Sequence, residues 1–265
     1  MPARESPSER SHRTVSGLQA VVTGAAGGIG TAIVHRLLAD GATVHGLDRD
    51  RAGLQRLAAA CDGGSRLLTY LVDLADRADC DRVLGELLAA LEGRCDVLVN
   101  NAGLCEVRSL AQSDDRLLDR TFAVNFFAPL RLTRTLLPAL RASGRACVVN
   151  IASELALIGQ PGYGVYSGSK GALLAWSRAL AVELAPDRVR VNAVCPGPID
   201  TAMLRAEFVS LGDPSQARAE EIATVPLGRL GVPLDVANVV AFLASAEAAF
   251  VSGAAWSVDG GKTSR

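Results

Sequence analysis

The sequence predicts an α/β fold in which a seven-stranded, mostly parallel sheet is doubly wound, with helices on both faces. Short apolar, β-prone runs alternate with segments of helical periodicity along almost the whole chain. The first of these runs leads directly into a glycine-rich turn and then into a helix. The 265 residues, nearly half of them hydrophobic, are enough for one large domain with a substantial core.

The predicted elements follow one another without a linker or an internal repeat. Strands are predicted at 18–22, 42–47, 66–72, 96–99, 146–151, 189–194 and 254–258. Helices are predicted from the glycine turn to Gly41 and at 50–61, 77–92, 117–140, 163–184 and 233–245. Residues 202–225 are polar and less regular, and 1–16 read as a flexible arm. We therefore predict one domain over 17–265, with a substrate lid at about 202–225.

The glycine turn is Thr23-Gly-Ala-Ala-Gly-Gly-Ile-Gly30. Glycines at 24, 28 and 30 allow a tight turn and let a pyrophosphate approach the backbone. The helix that follows offers free N–H groups and the positive end of its dipole. A strand, a glycine turn and a helix in this order predict the phosphate-binding unit of a Rossmann fold.

The acidic residue Asp48 closes the second strand, about 20 residues after the glycine turn. A carboxylate here can accept hydrogen bonds from ribose hydroxyls and repels a 2′-phosphate, whereas the adjacent Arg49 could attract that phosphate. Because the glycine turn contains no lysine or arginine, the sequence favours NAD over NADP. Asp73, after the third strand, either meets the adenine or caps the next turn.

Polar side chains follow two central strands. Asn100 and Asn101 end the fourth strand, and Ser153 comes just after the fifth. The carboxyl ends of parallel strands form the ligand-binding edge of an open sheet. Asn125 lies among apolar neighbours where the long helical segment is interrupted near Pro129. A buried asparagine needs partners, so it either satisfies kinked backbone or binds an internal water.

Tyr166 and Lys170 are four residues apart at the start of a long helical pattern, so their side chains share a face. A phenol is a poor base near neutrality because its usual pKa is about 10, and a nearby cation favours the phenolate. Such a pair also arises by chance, as an aromatic at the core edge and a solvated lysine. The sequence around it decides between these interpretations.

Composition excludes several classes of function. A net charge of −1 gives no electrostatic case for nucleic acid or an anionic membrane. Six widely spaced cysteines form no CxxC pair and no Cys/His cluster, which indicates free thiols, a cytoplasmic protein and no metal site. No targeting segment is recognisable, and no apolar run is long enough to span a bilayer comfortably.

Taken together, residues 17 to 261 resemble a short-chain dehydrogenase/reductase of the short, single-domain branch. The glycine turn resembles the cofactor loop of that family, and Asn100-Asn-Ala-Gly103 resembles its N-N-A-G segment. Pro196-Gly197 with Thr201 is similar to the stretch that holds the nicotinamide carboxamide. The order of the catalytic tetrad is matched by Asn125, Ser153, Tyr166 and Lys170.

The resemblance implies an oxidoreductase that interconverts a secondary alcohol and a ketone by direct hydride transfer, with NAD(H) as cofactor. Tyr166 would exchange the proton, Ser153 would fix the substrate oxygen, and Lys170 would contact the nicotinamide ribose and lower the pKa of Tyr166. Asn125 would hold a water that completes a proton relay. The implied cofactor-binding residues are Gly24, Gly28, Ile29, Gly30, Asp48, Arg49, Asp73, Leu74, Asn101, Ala102, Gly103, Tyr166, Lys170, Pro196, Gly197, Ile199 and Thr201.

The expected substrate is a small molecule in a pocket lined by Cys105, Glu106, Glu154, Leu155, Tyr163 and Met203. The two glutamates suggest a polar or hydroxyl-rich substrate. The resemblance also implies a homotetramer, with a dimer as the alternative, and interfaces at 163–184 and 250–258. Two other functions stay open, a non-catalytic nucleotide sensor and an NADPH-dependent biosynthetic ketoreductase. The glycine spacing and the short C-terminal part disfavour an epimerase or dehydratase of the longer branch.

Overall fold

The computed structural model describes residues 15–61 and 64–264. The arm predicted for 1–16 therefore lies almost wholly outside the described residues. Its last two residues are described, and Val15 is only 1% exposed and packs into the hydrophobic core. The predicted boundary is wrong at this point, because an apolar Val15 is buried with the strands it precedes. The folded domain includes Val15.

A single seven-stranded sheet forms the centre of the molecule, with strand order β3-β2-β1-β4-β5-β6-β7. Each neighbouring pair is parallel, so the sheet is wholly rather than mostly parallel. The order reverses between β1 and β4, which places a crevice at the carboxyl ends of these two strands. The strands are β1 Gln19–Thr23, β2 Thr43–Asp48, β3 Leu67–Leu71, β4 Val97–Asn100, β5 Cys147–Ile151, β6 Arg190–Pro196 and β7 Ala255–Val258.

The helices that connect these strands agree with the predicted segments to within a few residues at most ends. Those before the fifth strand are α1 Gly28–Ala39, α2 Arg51–Ala60, α3 Arg77–Ala90, α4 Asp115–Phe122 and α5 Ala128–Ser143. Those after it are α6 Gly164–Glu183, α7 Ala202–Ser210, α8 Pro214–Ala223 and α9 Pro233–Ala244. Within the described ranges, no helix is both long and apolar enough to cross a membrane.

Two buried clusters cover the two faces of the sheet. Alternate strand residues point to opposite faces; accordingly, Val22 packs with α1 and α9, whereas Val21 packs with α3, α5 and α6. The near-continuous apolar strands are typical of a parallel sheet buried on both sides. The prediction of helices on both faces is thereby confirmed.

Two connections differ from regular helix or loop. The predicted interruption near Asn125 is confirmed as a π-helical turn, Ala123–Phe127, that joins α4 to α5. The region 202–225 was expected to be less regular, but it forms α7 and α8. Side chains cap both helices, since Thr201 accepts from the Leu204 N–H and Asp213 accepts from the Ser215 N–H. The polar composition of 202–225, the region predicted to be a substrate lid, therefore reflects helices with exposed faces.

Candidate active site

The glycine turn can be formed only by glycines at its two tightest points. Gly24 has a φ of +65°, and a Cβ there would lie 2.8 Å from the Cα of Ala102. A Cβ on Gly30 would lie 1.9 Å from the carbonyl oxygen of Gly24. The helix therefore packs directly on the turn, and its first N–H groups open into a cavity of about 780 Å³.

The turn is fixed from the neighbouring strand by Asn101. Its amide nitrogen donates to the carbonyl oxygens of Thr23 at 2.9 Å and Gly24 at 3.1 Å. The Thr23 hydroxyl in turn accepts from the backbone N–H groups of Asn101 and Ala102, both at 3.0 Å. Asn100 points the other way and donates to Asn150 at 2.8 Å. The paired asparagines thus join the crevice strands into one rigid unit.

The N-terminus of α1 fits a phosphate group. Its cap residue Gly27 has no side chain, and the first turn carries no acidic residue. Ala26, Gly27, Gly28 and Ile29 all line the cavity. The Ala26 N–H donates to Asp48 and the Gly27 N–H donates to the Gly24 carbonyl, so the N–H groups of Gly28 and Ile29, at the positive end of the helix dipole, are those that can serve a phosphate.

Asp48 lies where the adenosine ribose of a dinucleotide would be recognised. Its Oδ2 accepts from the Ala26 N–H and its Oδ1 from the Asp50 N–H, each at 2.9 Å. Each carboxylate oxygen keeps acceptor capacity for a ligand hydroxyl. Arg49 and Arg56 also line this end of the cavity, and Arg56 pairs with Asp50. Asp73 caps its turn by accepting from the Ala75 N–H and lines the same cavity.

Ser153, Tyr166 and Lys170 come together in the middle of the cavity. Lys170 is 3% exposed, and its Nζ donates to the Ile151 carbonyl at 2.8 Å and lies 5.9 Å from the Tyr166 ring centroid. The Ser153 hydroxyl accepts from the Leu155 N–H at 3.1 Å and faces the phenol, favouring its ionised form. Strand β5 and helix α6 therefore place a hydroxyl, a phenol and an ammonium together.

The pKa values of this cluster are governed by burial. Burial raises the pKa of Tyr166 well above its usual value, and the nearby Cys105 and Glu207 side chains raise it further. Burial lowers the pKa of Lys170 to about 8. The direction for Tyr166 is opposite to the sequence-based expectation, because desolvation disfavours the phenolate and is the largest cause of the shift. Burial therefore favours the protonated form of the phenol.

Asn125 lies behind the cluster rather than in the cavity wall, and it is completely buried. Its Nδ2 donates to the Leu104 carbonyl and to the Ser169 hydroxyl, and its Oδ1 accepts from the Leu104 N–H, all at 3.0 Å. The side-chain amide is thus occupied by the protein itself. Its described contacts orient the loop after β4 against α6, next to Lys170.

The predicted cofactor residues all line this one cavity, which runs from the turn of β1 to the lid. Five of the six predicted substrate residues line it as well, namely Cys105, Glu154, Leu155, Tyr163 and Met203. Glu106 does not line the cavity. Its half-exposed carboxylate lies 3.9 Å from Arg108 and 4.0 Å from Arg120.

Sequence reasoning missed the charged groups that close the substrate end. Lys262 Nζ donates to Glu154 at 2.8 Å and to Glu221 at 2.5 Å, and all three side chains are largely buried. Tyr163 Oη donates to Glu207 at 3.1 Å. These partners are far apart in sequence, so no local motif points to them.

Residues 24–263 of the chain match a family model described as enoyl-(acyl carrier protein) reductase. The chain is 34% identical over 243 residues to 2-(S)-hydroxypropyl-CoM dehydrogenase 3 of Xanthobacter autotrophicus. That alignment covers 91% of this chain and 95% of the relative.

Two solved structures are similar over nearly their whole length. A protein of Beutenbergia cavernae, described as an NAD(P)-dependent gluconate 5-dehydrogenase with bound NADP, superposes with a TM-score of 0.88. It is 36% identical, with 95% of this chain and 99% of that chain covered. The 3-ketoacyl-(acyl-carrier-protein) reductase of Brucella melitensis, complexed with NADH, gives a TM-score of 0.85 and 32% identity. There, coverage is 94% of this chain and 99% of that chain.

Proposed function

The chain belongs to the short-chain dehydrogenase/reductase family, and on that premise we propose that it interconverts a secondary alcohol and a ketone with NAD(H). As a member of this family it is an NAD(P)-dependent oxidoreductase that acts on CH–OH groups. The observation that carries the proposal is the meeting of Ser153, Tyr166 and Lys170 in the cavity that begins at the glycine turn. Bound there, the dinucleotide supplies the group that gives or takes the hydride.

Each residue of the cluster has a distinct role in this proposal. Tyr166 donates its proton to the carbonyl oxygen in reduction and removes it from the alcohol in oxidation. Ser153 already accepts from the Leu155 N–H, so its own proton is free to donate to the substrate oxygen. Lys170 donates one N–H to the Ile151 carbonyl, and its two other N–H groups can donate to ribose hydroxyls.

Asn125 acts on the cluster indirectly. Its side chain holds Leu104 and Ser169 in place, and its Oδ1, which accepts one hydrogen bond there, keeps acceptor capacity for a water in the proposed relay. The π-helical turn that carries Asn125 is a feature frequent at functional sites. Asn125 is a positioning residue in this account.

The raised pKa of Tyr166 gives the two directions opposite pH dependence. The protonated phenol is the reactive form in reduction, so the rate of reduction should be high at neutral pH and fall as pH rises. The phenolate is the reactive form in oxidation, so that rate should rise with pH. A stopped assay in both directions across the alkaline range measures this difference.

The preference for NAD(H) is supported by Asp48, which the Ala26 and Asp50 N–H groups hold at the cavity wall. Arg49 and Arg56 line the same end and favour the alternative, an NADPH-dependent ketoreductase. Titration of the protein with NADH and with NADPH, followed by nicotinamide fluorescence, separates the two. We expect tighter binding of NADH, and tighter binding of NADPH would establish the alternative.

The catalytic proposal is tested with Tyr166→Phe. We expect kcat to fall roughly 10²- to 10⁴-fold while NADH binding is retained, because only the proton donor is removed. Tyr70→Phe is the matched control, since its hydroxyl bonds His45 outside the cavity. A Tyr166→Phe variant with unchanged kcat would contradict the proposal. Binding of NADH without turnover of any alcohol by the unaltered protein would favour a nucleotide sensor.

We further propose a cytoplasmic homotetramer. Five cysteines form no disulfide within the described residues, which suits a reducing compartment; they are Cys80, Cys95, Cys105, Cys147 and Cys195. Both predicted interface segments carry an exposed apolar residue, since Val182 on α6 is 78% exposed and Phe250 is fully exposed. Light scattering of the purified protein tests the assembly, and a monomeric mass would contradict it.

A further inference from the structure

A carboxylate that the proposed mechanism does not use lies in the substrate end of the cavity. Glu207 projects from α7, and its Oε2 accepts the Tyr163 hydroxyl at 3.1 Å. The Cys105 thiol also bonds it. Tyr163 is only 7% exposed, and all three side chains line the cavity. A lid helix, the start of α6 and the loop after β4 therefore meet at Glu207.

Glu207 differs from the other lid and wall carboxylates because no cation pairs with it in the described part of the chain. Glu154 and Glu221 share Lys262, and Asp200 pairs with Arg205. A half-buried carboxylate that accepts from the neutral Tyr163 hydroxyl beside the Cys105 thiol is costly unless further hydrogen bonds satisfy it. A carboxylate can accept about four hydrogen bonds. The two contacts named leave acceptor capacity at the cavity.

The position of Glu207 relative to the reacting group is set by α6. Tyr163 comes three residues before Tyr166, at a spacing that brings side chains together on one face. Glu207, Tyr163 and Tyr166 line the same cavity, and the charge of Glu207 raises the pKa of Tyr166. A hydrogen-bond donor that reaches Glu207 therefore lies in the cavity that contains the reacting phenol.

The rest of this end of the cavity has the same sign of charge. Glu154 is 5% exposed, lines the cavity beside Ser153, and has one oxygen without a hydrogen-bond partner. Glu154 and Glu221 share the single ammonium of Lys262, and Glu207 adds a third carboxylate to this end of the cavity without a paired cation among the described residues. Such an environment attracts hydroxyl donors and repels a substrate carboxylate.

We propose that Glu207 accepts a hydrogen bond from a second hydroxyl of the substrate. The enzyme then acts on neutral polyhydroxylated alcohols, such as diols and their hydroxy-ketone products, in preference to simple alcohols and hydroxy acids. This inference rests on the proposed function of the same cavity. Glu207 and Tyr163 are specificity-determining residues, and the hydride and proton steps at Tyr166 stay as described.

The test compares kcat/KM for cyclohexanol with that for cyclohexane-1,2-diol. We expect the unaltered protein to prefer the diol at least about tenfold, since a hydrogen bond to a charged acceptor is worth about this factor or more. Glu207→Gln should lower the ratio of kcat/KM for the diol to kcat/KM for cyclohexanol about 10- to 100-fold, whatever change common to both substrates follows from its effect on Tyr166. Tyr163→Phe, which frees the carboxylate, should reduce the diol preference by a smaller factor.

A charge-matched control is Glu183→Gln, at the far end of α6 and exposed. It lies about 25 Å along the helix from Tyr166, so its substrate preference should be unchanged. A second comparison uses 3-hydroxybutanoate and its methyl ester, and we expect the ester to be favoured.

The outcomes distinguish the role of Glu207 from the proposed function. Equal loss for both cyclohexyl substrates in Glu207→Gln, or preference for the free acid, overturns the inference and leaves the proposed function intact. Failure to oxidise any diol while NADH still binds also overturns it. Full activity of Tyr166→Phe overturns the proposed function instead. Loss of the diol preference in Glu207→Gln alone, with NADH binding retained, supports the inference.

Discussion

The two ends of the cavity are built by different means. The dinucleotide end is held by main-chain geometry, with Gly24 and Gly30 in close contact and Asn101 bonded to backbone carbonyls. The substrate end is held by side-chain charge, with Lys262 between Glu154 and Glu221, and Glu207 against Tyr163. The first depends on the absence of side-chain atoms, and the second on buried ionisable groups.

This difference determines what each end tolerates. Backbone contacts do not depend on pH, but a single added methyl group disrupts them. A site built from buried charges tolerates changes in side-chain shape, but its energy depends on pH and on every charged group nearby. Substitutions at the dinucleotide end should act sterically, and those at the substrate end electrostatically.

The largest expected effect is that of Gly30→Ala. The new Cβ would lie 1.9 Å from the Gly24 carbonyl oxygen, so helix and turn must separate. We expect NADH affinity to fall at least about 10⁴-fold, equivalent to about 5.5 kcal/mol. Fluorescence titration measures the loss.

Gly85→Ala on α3 is the matched control for that substitution. Gly85 is exposed within the helix, and a Cβ there meets no atom within 4 Å. It should leave NADH affinity unchanged and stabilise the fold by about 0.5–1 kcal/mol. Full affinity in Gly30→Ala would show that the turn is not held sterically.

Lys262→Met, at the substrate end of the cavity, should have the next largest effect. It leaves Glu154 and Glu221 buried without a cation, which we expect to destabilise the protein by about 3–5 kcal/mol at neutral pH. The sign of its pH dependence follows from Glu154, whose pKa burial raises to about 6. A carboxyl with a raised pKa in the folded state contributes stability below its unfolded value of about 4.5, and this contribution is lost as pH rises through about 6.

Removing Lys262 raises that pKa further, because the ammonium is what lowers it. The cost of Lys262→Met should therefore shrink as pH falls toward about 6 and be smallest below it, as measured by urea unfolding at several pH values. The double variant Glu154→Gln/Lys262→Met should recover part of the stability lost at neutral pH. A cost that does not vary with pH would contradict the electrostatic account.

The smallest of the three expected effects concerns His45, in the other half of the sheet. His45 on β2 is 1% exposed and lies between Gln19 and Tyr70, and burial lowers its pKa to about 4. Its stability contribution is present above the unfolded pKa of about 6.5 and is lost as pH falls through about 4, by about 3 kcal/mol. This slope is opposite in sign to that of Glu154.

Urea unfolding of His45→Gln tests the assignment. The variant should lose the decline in stability between about pH 6.5 and 4, whatever its stability at neutral pH. A slope equal to that of the unaltered protein would assign the acid sensitivity to other groups.

The fold could be predicted from sequence because each strand is a short apolar run bounded by polar or glycine residues. Parallel order and the crevice between β1 and β4 follow from alternation with helices. The helices of the region 202–225 were not predicted, because its polar composition was taken as irregular structure. The Asp213-Pro214 pair that begins α8 was a recognisable helix start.

The residues of the site likewise divide into those that local sequence predicts and those that it does not. The dinucleotide end follows from local motifs, since Gly24 to Gly30 and Asn100-Asn101 are contiguous in sequence. Lys262 lies 108 residues from Glu154 and 41 from Glu221, so their contact depends on the tertiary fold. Glu106 was assigned to the cavity from its proximity to Cys105, but its half-exposed carboxylate lies near two arginines instead.

The account depends most on direct hydride transfer in the cavity that holds both ends. The decisive measurement uses cyclohexane-1,2-diol deuterated at both carbinol carbons, with NAD and the purified protein, and mass analysis of the dinucleotide. The account predicts that each reduced dinucleotide carries one deuterium, and that Tyr166→Phe forms roughly 10²- to 10⁴-fold less of this product in the same time. Reduced dinucleotide without deuterium, or equal amounts of it formed by both proteins, would contradict the account.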